Sequence, residues 1–254
     1  MIDLHSHLLP GVDDGSRSVE QSLRVLGQFA DLGITDVCLT PHLLASQASA
    51  GAPESHDRAF ARLTAAATAA VHLHRGAEVM LDRPLPPRAA ANPAIRLGGT
   101  RYILVEFSRL VTADTVATAL AHVAGLGLRP LLAHPERYSS CSVGAAQRWK
   151  AAGAVLQLDA TTLLAPRARG ERARALLAAG LGDIVAGDNH GDDRSLAPVR
   201  DALTSQGADE QAELLAVANP RAILDDRDLV AVEPVVLKLS FGSRIRRLFD
   251  SADG

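Results

Sequence analysis

Short apolar stretches and longer amphipathic stretches alternate along most of the chain. A short apolar run bounded by Gly, Pro or polar residues is typical of a buried strand, and apolar residues repeating every three or four positions are typical of a helix. The pattern predicts seven strands, at residues 1–7, 34–40, 71–79, 102–107, 129–133, 155–158 and 183–186. Helices are predicted between them, at residues 18–32, 57–69, 113–125, 144–152 and 170–179, and most of residues 196–224 is also predicted to be helical.

Repeated strand–helix alternation predicts an α/β protein with a parallel sheet and helices on the outside. Such a sheet is either a barrel or an open, doubly wound sheet. No Gly-x-Gly-x-x-Gly follows the first strand and no P-loop is present, which disfavours a nucleotide-binding sheet. The length of 254 residues is typical of an α/β barrel that forms one domain.

The amino-acid composition excludes some classes of binding partner and indicates the cellular compartment. A net charge of −3 and an aromatic content of 3% predict that the protein does not bind nucleic acid. Cys38 and Cys141 are too few for a disulfide framework or a thiolate metal site. No apolar stretch has the length of a transmembrane helix, and Asp3 and His5 interrupt the N-terminal apolar run, so we expect a cytoplasmic protein without a signal peptide.

Side chains that can bind metal ions lie at the predicted C-terminal ends of the strands. His5 and His7 end the first strand and, because side chains alternate along a strand, point to the same face. The other candidates follow this strand or end later ones, and the full set is His5, His7, Asp14, His42, Glu78, Glu106, His134, Asp188 and His190. In a parallel α/β barrel this is the face on which active sites are built.

The regular placement of these candidates favours a metal site over incidental histidines and carboxylates. The set is too large for one ion, so we expect about two or three ions that share carboxylates, an arrangement suited to phosphoryl transfer. Imidazole and carboxylate ligands without thiolates favour Mn, Fe or Zn. His72 and His74 fall early in their strand and are expected away from the site, and Asp13 competes with Asp14. Asp159, just past the sixth strand, is placed where its side chain can point into the site, but it has no match that we can assign.

Seven segments carry the candidates, in the order Met-Ile-Asp-Leu-His-Ser-His, Val-Asp-Asp-Gly, Thr-Pro-His, Gly-Ala-Glu, Leu-Val-Glu-Phe-Ser, Ala-His-Pro-Glu-Arg-Tyr and Gly-Asp-Asn-His. Their order and spacing resemble the PHP (polymerase and histidinol phosphatase) superfamily of metal-dependent phosphoesterases. Within it, they are similar to the bacterial CpsB/YwqE-type tyrosine-protein phosphatases, from residue 1 to about residue 228. The resemblance implies a distorted TIM-like (β/α)7 barrel of the PHP type.

The resemblance also implies a trinuclear centre. The first metal would be held by His5, His7, Glu78 and Asp188, the second by Glu78, Glu106 and His134, and the third by Asp14, His42 and His190. Arg137 would bind the substrate phosphate, and Arg194 is the candidate for a second arginine, about one residue closer to the last histidine than in the family. The loop expected to border the substrate bears no basic residue from Leu43 to Gly51, whereas this group often has them there.

The activity implied is hydrolysis of phosphotyrosine in the tail of a membrane-bound bacterial tyrosine autokinase that controls capsule or exopolysaccharide export, with Mn the first metal to consider. That partner would recruit the enzyme to the inner face of the membrane. One alternative is another PHP phosphoesterase, such as a histidinol-phosphate phosphatase. A second alternative is a non-catalytic, metal-stabilised module that binds phosphotyrosine. Residues 1–228 are predicted to be the phosphatase domain, and residues 229–254 a tail with a short basic amphipathic stretch.

Overall fold

The structure is a computed structural model that describes residues 1–48, 52–68 and 70–239. Within these ranges the strands are β1 (Ile2–Ser6), β2 (Asp36–Leu39), β3 (His42–Leu44), β4 (His72–Arg75), β5 (Glu78–Met80), β6 (Tyr102–Glu106), β7 (Arg129–Ala133), β8 (Val155–Asp159) and β9 (Ile184–Ala186). The α helices are α1 (Val19–Asp31), α2 (Glu54–Ala66), α3 (Pro87–Ala90), α4 (Ala113–Gly125), α5 (Val143–Ala151), α6 (Ala160–Leu164), α7 (Ala168–Ala178), α8 (Ala197–Thr204), α9 (Asp209–Glu213) and α10 (Asn219–Leu224). A π-helical segment, Leu214–Ala218, joins α9 to α10.

The described strands form two parallel sheets. The smaller sheet has the order β1-β2-β4, and the larger has the order β3-β5-β6-β7-β8-β9. The predicted α/β class with a parallel sheet is therefore confirmed. The strands are divided between two hydrogen-bonded sheets, which the sequence pattern did not indicate.

Two predicted strands are each interrupted near their C-terminal ends. The predicted strand 34–40 stops at Leu39 and a separate strand, β3, starts at His42, because Pro41 has no N–H to donate to a ladder. The predicted strand 71–79 is broken between Arg75 and Glu78 at Gly76. A Cβ atom at Gly76 would lie 3.2 Å from the Thr40 side chain and 3.1 Å from a Leu97 methyl group, so the two interruptions pack against each other.

The first and last strands lie side by side. Ser6 in β1 forms an isolated parallel bridge with Asn189, just beyond β9, and His7 donates its backbone N–H to the Asn189 carbonyl at 2.7 Å. We count β2 and β3 as one interrupted strand, and β4 and β5 as another. The nine strands then occupy seven neighbouring positions, in the order in which they occur in the chain. The carboxyl ends of all of them consequently face the same side of the molecule.

Helices cover the outside of the sheets and bury one face. The first long helix, α1, is capped by the Ser18 side chain, which accepts the Gln21 N–H, and packs Val25, Leu26 and Phe29 into the core. A second, smaller apolar cluster includes Leu4, Leu104 and Leu131.

The predicted tail is only partly described. Val232 and Leu237 are buried in the main apolar core, so the segment up to residue 239 packs on the helical layer. The amphipathic stretch with Arg244, Arg246 and Arg247 lies outside the described residues. The boundary at residue 228 stays a prediction. Among the described helices, none combines the length and the apolar character needed to cross a bilayer.

Candidate metal centre

The centre starts from two buried imidazoles at the end of β1. His5 lies in the strand and His7 follows it, and their Nε2 atoms are 3.2 Å apart. The turn after β1 packs directly beneath His7, and a Cβ atom at Gly15 would lie 2.0 Å from the His7 carbonyl oxygen. Glycine at this position therefore lets the chain carry Asp13 and Asp14 back over the strand end.

The second nitrogen of each imidazole contacts an acceptor, and this sets the tautomer. His5 Nδ1 lies 2.9 Å from Gln157 Oε1, and His7 Nδ1 lies 2.8 Å from Asp13 Oδ2. If each Nδ1 carries the hydrogen that these acceptors require, each neutral ring presents an Nε2 lone pair to the interior. Such contacts from a non-coordinating nitrogen to an amide or carboxylate are typical of metal-binding histidines.

Both Nε2 atoms face two buried carboxylates. His5 Nε2 is 3.3 Å from Glu78 and 3.3 Å from Asp188, and His7 Nε2 is 3.3 Å and 3.4 Å from the same two residues. Burial opposes protonation of His5, but the charges of Glu78 and Asp188 outweigh it and raise its pKa. The negative charge of the buried carboxylates therefore favours positive charge at the centre, either as protons on the imidazoles or as a bound cation.

Glu78, at the start of β5, lies in the middle of the cluster. One oxygen, Oε1, is 2.9 Å from His134 Nε2, and the other, Oε2, is 3.0 Å from His42 Nδ1. Burial alone would raise the pKa of Glu78, but His5, His134 and His42 hold it well below its ordinary value. A carboxylate whose two oxygens face different imidazoles has the geometry of a bridging ligand.

The outer part of the centre is more accessible. His42 Nε2 and His190 Nε2 lie 3.4 Å and 3.5 Å from Asp14 Oδ1, and the rings of His7 and His190 stack at 4.1 Å. Partial burial opposes protonation of His42, yet its hydrogen-bonding carboxylates, Glu106 first, raise its pKa to about 10.

All nine predicted ligands are brought together. Their ligand atoms form four overlapping groups in the part of the chain that the structure describes, namely His7/Asp14/His42/His190, His5/Glu78/His134, His5/His7/Asp188 and His42/Glu78/Glu106. The first and third groups match two of the expected ligand sets closely. The expected second set is divided, because Glu106 lies 3.3 Å from His42 and His134 belongs with His5 and Glu78. Several groups of residues can thus hold a metal ion, while the assignment of each ligand to an ion stays a prediction.

The donor set fits divalent transition metals. The nitrogen and oxygen donors include no thiolate, which suits Mn, Fe or Zn. His134 Nδ1 is buried and has no hydrogen-bond partner among the described residues. His134 (φ 33°) and Asp188 (φ 47°) also adopt left-handed backbone conformations, which are uncommon for non-glycine residues and are enriched at active sites.

Arg137 lies beside the cluster and is held by carboxylates. Its guanidinium donates to Asp159 and to Asp188, and these charges raise its pKa against the effect of burial. Arg194 Nη1 is 3.8 Å from Asp188 Oδ2, and its Nη2 pairs with Asp192 at 2.8 Å. Both predicted arginines therefore reach the centre, Arg137 closely and Arg194 from its edge.

The structure also identifies residues that the sequence did not assign. Gln157 and Asp159 lie two positions apart in β8, so both point inward, one to His5 and the other to Arg137. A glutamine inside an otherwise apolar, buried strand requires a hydrogen-bond partner, and this was the available signal. His74 pairs with Asp36 at 2.9 Å near the opposite ends of the strands, away from the site as expected.

A cavity of about 440 Å³ opens above the cluster. One side is formed by the candidate ligands, and the other side is apolar, with Leu43, Leu44, Met80, Phe107 and Tyr138. Tyr138 is fixed by its hydroxyl, which donates to the Ala133 carbonyl at 2.9 Å, and its ring meets Phe107 edge to face. The cavity thus combines a strongly charged floor with a wall that suits an apolar or aromatic group.

Comparisons with known proteins identify a family and several similar chains. The family model for capsular polysaccharide synthesis proteins CpsB/CapC matches residues 1–225. The tyrosine-protein phosphatase CpsB of Streptococcus pneumoniae is 27% identical over 241 residues, covering 89% of this chain and 99% of CpsB. The tyrosine-protein phosphatase YwqE of Bacillus subtilis is 28% identical over 140 residues, covering 54% of this chain and 55% of YwqE.

Solved structures share the fold. One from the work on YwqE of B. subtilis and CpsB of S. pneumoniae, described as metal-dependent tyrosine phosphatases, superimposes with a TM-score of 0.78 at 23% identity, covering 94% of this chain and all (100%) of that one. The phosphotriesterase of Mycobacterium tuberculosis superimposes with a TM-score of 0.59 at 14% identity, covering 89% of this chain and 94% of that one. At these identities the likeness concerns the fold alone.

Proposed function

Because the chain belongs to the CpsB/CapC family of capsular polysaccharide synthesis proteins, we propose that it is a metal-dependent protein-tyrosine phosphatase. The observation that carries the proposal is the pair of buried imidazoles, His5 and His7, whose Nε2 atoms lie 3.2 Å apart and face the carboxylates of Glu78 and Asp188. The family match through residue 225 supports residues 1–228 as the catalytic domain.

We propose a cluster of about three divalent ions, with Mn to be tested ahead of Fe and Zn. The ions would be held by the nine residues already described, namely His5, His7, Asp14, His42, Glu78, Glu106, His134, Asp188 and His190. When bound, such ions polarise phosphoryl oxygens and lower the pKa of a water nucleophile. Glu78 is the best candidate for a shared ligand, because its two oxygens face different imidazoles.

Arg137 would bind the phosphate of the substrate. Its guanidinium lines the cavity, and Asp159 and Asp188 hold its orientation. A planar guanidinium donates two parallel hydrogen bonds to a phosphoryl group and stabilises the charge that develops on its oxygens. Arg194, at the edge of the centre, would supplement this charge.

The apolar wall supports an aromatic phosphoester. Leu44, which is 39% exposed, and the half-buried Met80 offer contact area to a phenyl ring whose phosphate reaches the charged floor. A phenolate is also a better leaving group than an alkoxide, because tyrosine has a much lower pKa than an aliphatic alcohol.

A cysteinyl-phosphate mechanism has no suitable nucleophile. The chain has no Cys-x5-Arg motif, and its two cysteines, Cys38 and Cys141, are both buried. Burial raises the pKa of Cys141 to about 12 and also raises that of Cys38. Thiols of this kind stay protonated near neutral pH and are poor nucleophiles.

The match to a capsular polysaccharide synthesis family and to tyrosine-protein phosphatases supports a proposal for the biological substrate. We propose that it is the phosphotyrosine-bearing tail of a membrane-bound bacterial tyrosine kinase that controls capsule or exopolysaccharide export. Contact with that kinase would bring the enzyme to the inner face of the membrane.

The test is hydrolysis of a phosphotyrosyl peptide and of histidinol phosphate by chelator-stripped enzyme, with and without added Mn. We expect metal-restored turnover of the peptide, well above that of histidinol phosphate. Turnover of histidinol phosphate alone would keep the metal centre and refute the tyrosine specificity. Binding of the peptide without turnover, with metals retained, would favour a phosphotyrosine-binding module instead.

A further inference from the structure

Arg109 differs from the other arginines near the cavity because no described carboxylate pairs with it. It lines the cavity together with Arg137, but Arg137 is engaged by Asp159 and Asp188. Arg194 is likewise engaged by Asp192. The Arg109 side chain is exposed, so its guanidinium is available to a ligand that enters the cavity.

The backbone of Arg109 is anchored although its side chain is exposed. Its carbonyl oxygen accepts the Ser139 N–H at 2.8 Å, which ties this loop to the segment that carries Arg137. Its neighbour Leu110 has 84% of its side chain exposed, so the loop forms a rim that projects outward. Arg109 therefore combines an anchored backbone with an exposed side chain that lines the cavity.

The other segment beside the cavity carries no cation among its described residues. Residues 43–48 include no Lys or Arg, and Leu43, Leu44 and Gln47 line the cavity. An incoming peptide would thus meet apolar side chains in one segment and, in the other, the Arg109 guanidinium, which no described carboxylate engages.

We propose that Arg109 determines substrate specificity by binding an acidic side chain next to the phosphotyrosine, so that the preferred substrate is an acidic phosphopeptide. This inference rests on the proposed phosphatase function. An arginine donates two hydrogen bonds to a carboxylate in a planar fork, which a lysine cannot reproduce. Because the pair would be partly exposed, its contribution is modest and decreases as salt screens it.

The experiment compares three phosphotyrosyl peptides of equal length, with Ala, Glu or Lys on both sides of the phosphotyrosine, and p-nitrophenyl phosphate as a substrate without a peptide. For the Mn-loaded wild type, we expect kcat/KM for the Glu peptide to exceed that for the Ala peptide by about three- to tenfold at low salt. The preference should decrease toward one at about 0.5 M NaCl.

Variants at Arg109 should change this preference specifically. We expect R109A to remove it through a higher KM for the Glu peptide, R109K to retain part of it, and R109E to favour the Lys peptide. R129A is the matched control, because Arg129 is an exposed arginine at the start of β7, at the opposite end of the strands. R129A should have the same kcat/KM as the wild type for the three peptides and for p-nitrophenyl phosphate.

Any of four outcomes would overturn the inference. An equal preference in the wild type and R109A, or no preference in the wild type, would mean that Arg109 does not contact flanking residues. An equal loss on p-nitrophenyl phosphate and on the Glu peptide would place Arg109 at the transferred phosphate. A metal-loaded wild type that hydrolyses none of the phosphotyrosyl peptides would refute the proposed function itself.

Discussion

Replacing Asp13 with asparagine is expected to weaken divalent metal binding by about 10- to 100-fold without unfolding the protein. The Asp13 carboxylate accepts three N–H groups, from His7 Nδ1 at 2.8 Å, the Gly15 backbone at 3.0 Å and the His42 backbone at 3.1 Å. An asparagine has only one oxygen, so it can accept on the His7 side or on the Gly15 side, but not on both.

Either orientation of the amide disturbs the centre. If the oxygen faces Gly15, the NH2 group faces His7 Nδ1 and favours the tautomer with hydrogen on Nε2, which removes the lone pair that faces Glu78 and Asp188. If the oxygen faces His7, two donors meet at Gly15. Loss of one hydrogen bond to a charged group costs about 1.5–3 kcal/mol, and about 1.4 kcal/mol corresponds to a tenfold change in affinity. A loss of about 1.5–3 kcal/mol therefore corresponds to a metal affinity that is weaker by about 10- to 100-fold.

The assay is competition between the protein and a chelating dye for Mn, with circular dichroism to confirm folding. D31N is the matched control, because Asp31 is an exposed aspartate at the end of α1. D14N should behave differently from both, since Asp14 lies in a single candidate ligand group among the described residues, with His7, His42 and His190, and its loss should affect one ion of the cluster. A folded D13N variant with Mn affinity within about twofold of wild type would refute the role of Asp13 in fixing the His7 tautomer.

Three further substitutions test the centre and its surroundings. H42A should reduce turnover by more than about 100-fold with an unchanged circular dichroism spectrum, and a retained rate would contradict His42 as a ligand. R137A should lower kcat by about 100-fold while metal content, measured by mass spectrometry, stays constant; loss of metal would make its role structural. Burial and the nearby Asp159 raise the pKa of Glu136 to about 8, so the native state keeps a proton that the unfolded chain loses above its ordinary value of 4.5. The free energy of unfolding of the wild type should therefore fall relative to that of E136Q as the pH rises through that interval, by on the order of 3 kcal/mol between about pH 5 and pH 9. The measurement is urea denaturation of the chelator-treated proteins at a series of pH values. Parallel pH profiles for the two proteins would contradict the raised pKa of Glu136.

The positions of the candidate ligands could be predicted because they depend on regular geometry. His5 and His7 share a face through the period of two in a strand, and Glu78, Glu106 and His134 follow from the parallel order of the strands. Once strand ends meet on one side, residues far apart in sequence must converge. The convergence of the predicted set therefore required no knowledge of individual contacts.

The interruptions in two strands could not be predicted in the same way. Gly76 is a local sign that the strand is irregular, but the sequence does not show that Thr40 and Leu97 are the residues that contact it from other segments. The contact of Glu106 with His42 is a related case. His42 belongs to a separate short strand, β3, which pairs with β5 and carries its side chain toward Glu106.

The residues that hydrogen-bond to the imidazoles, Asp13 and Gln157, were the hardest to predict from the sequence, for a chemical reason in each case. Asp13 and Asp14 are adjacent, yet the Asp13 side chain is 4% exposed and holds His7, whereas that of Asp14 is 69% exposed and faces the outer histidines. A turn has no side-chain period, so the pattern cannot separate two neighbouring aspartates. Gln157 lies in a strand, so the alternation of side chains predicts which face it shares, but it carries no charge that marks it as part of the site. Its contact with His5 in the structure identifies its role. Because both acceptors orient Nε2 lone pairs toward buried carboxylates, the centre is organised for a cation before any substrate arrives, and the residues that organise it lie one contact away from the ligands.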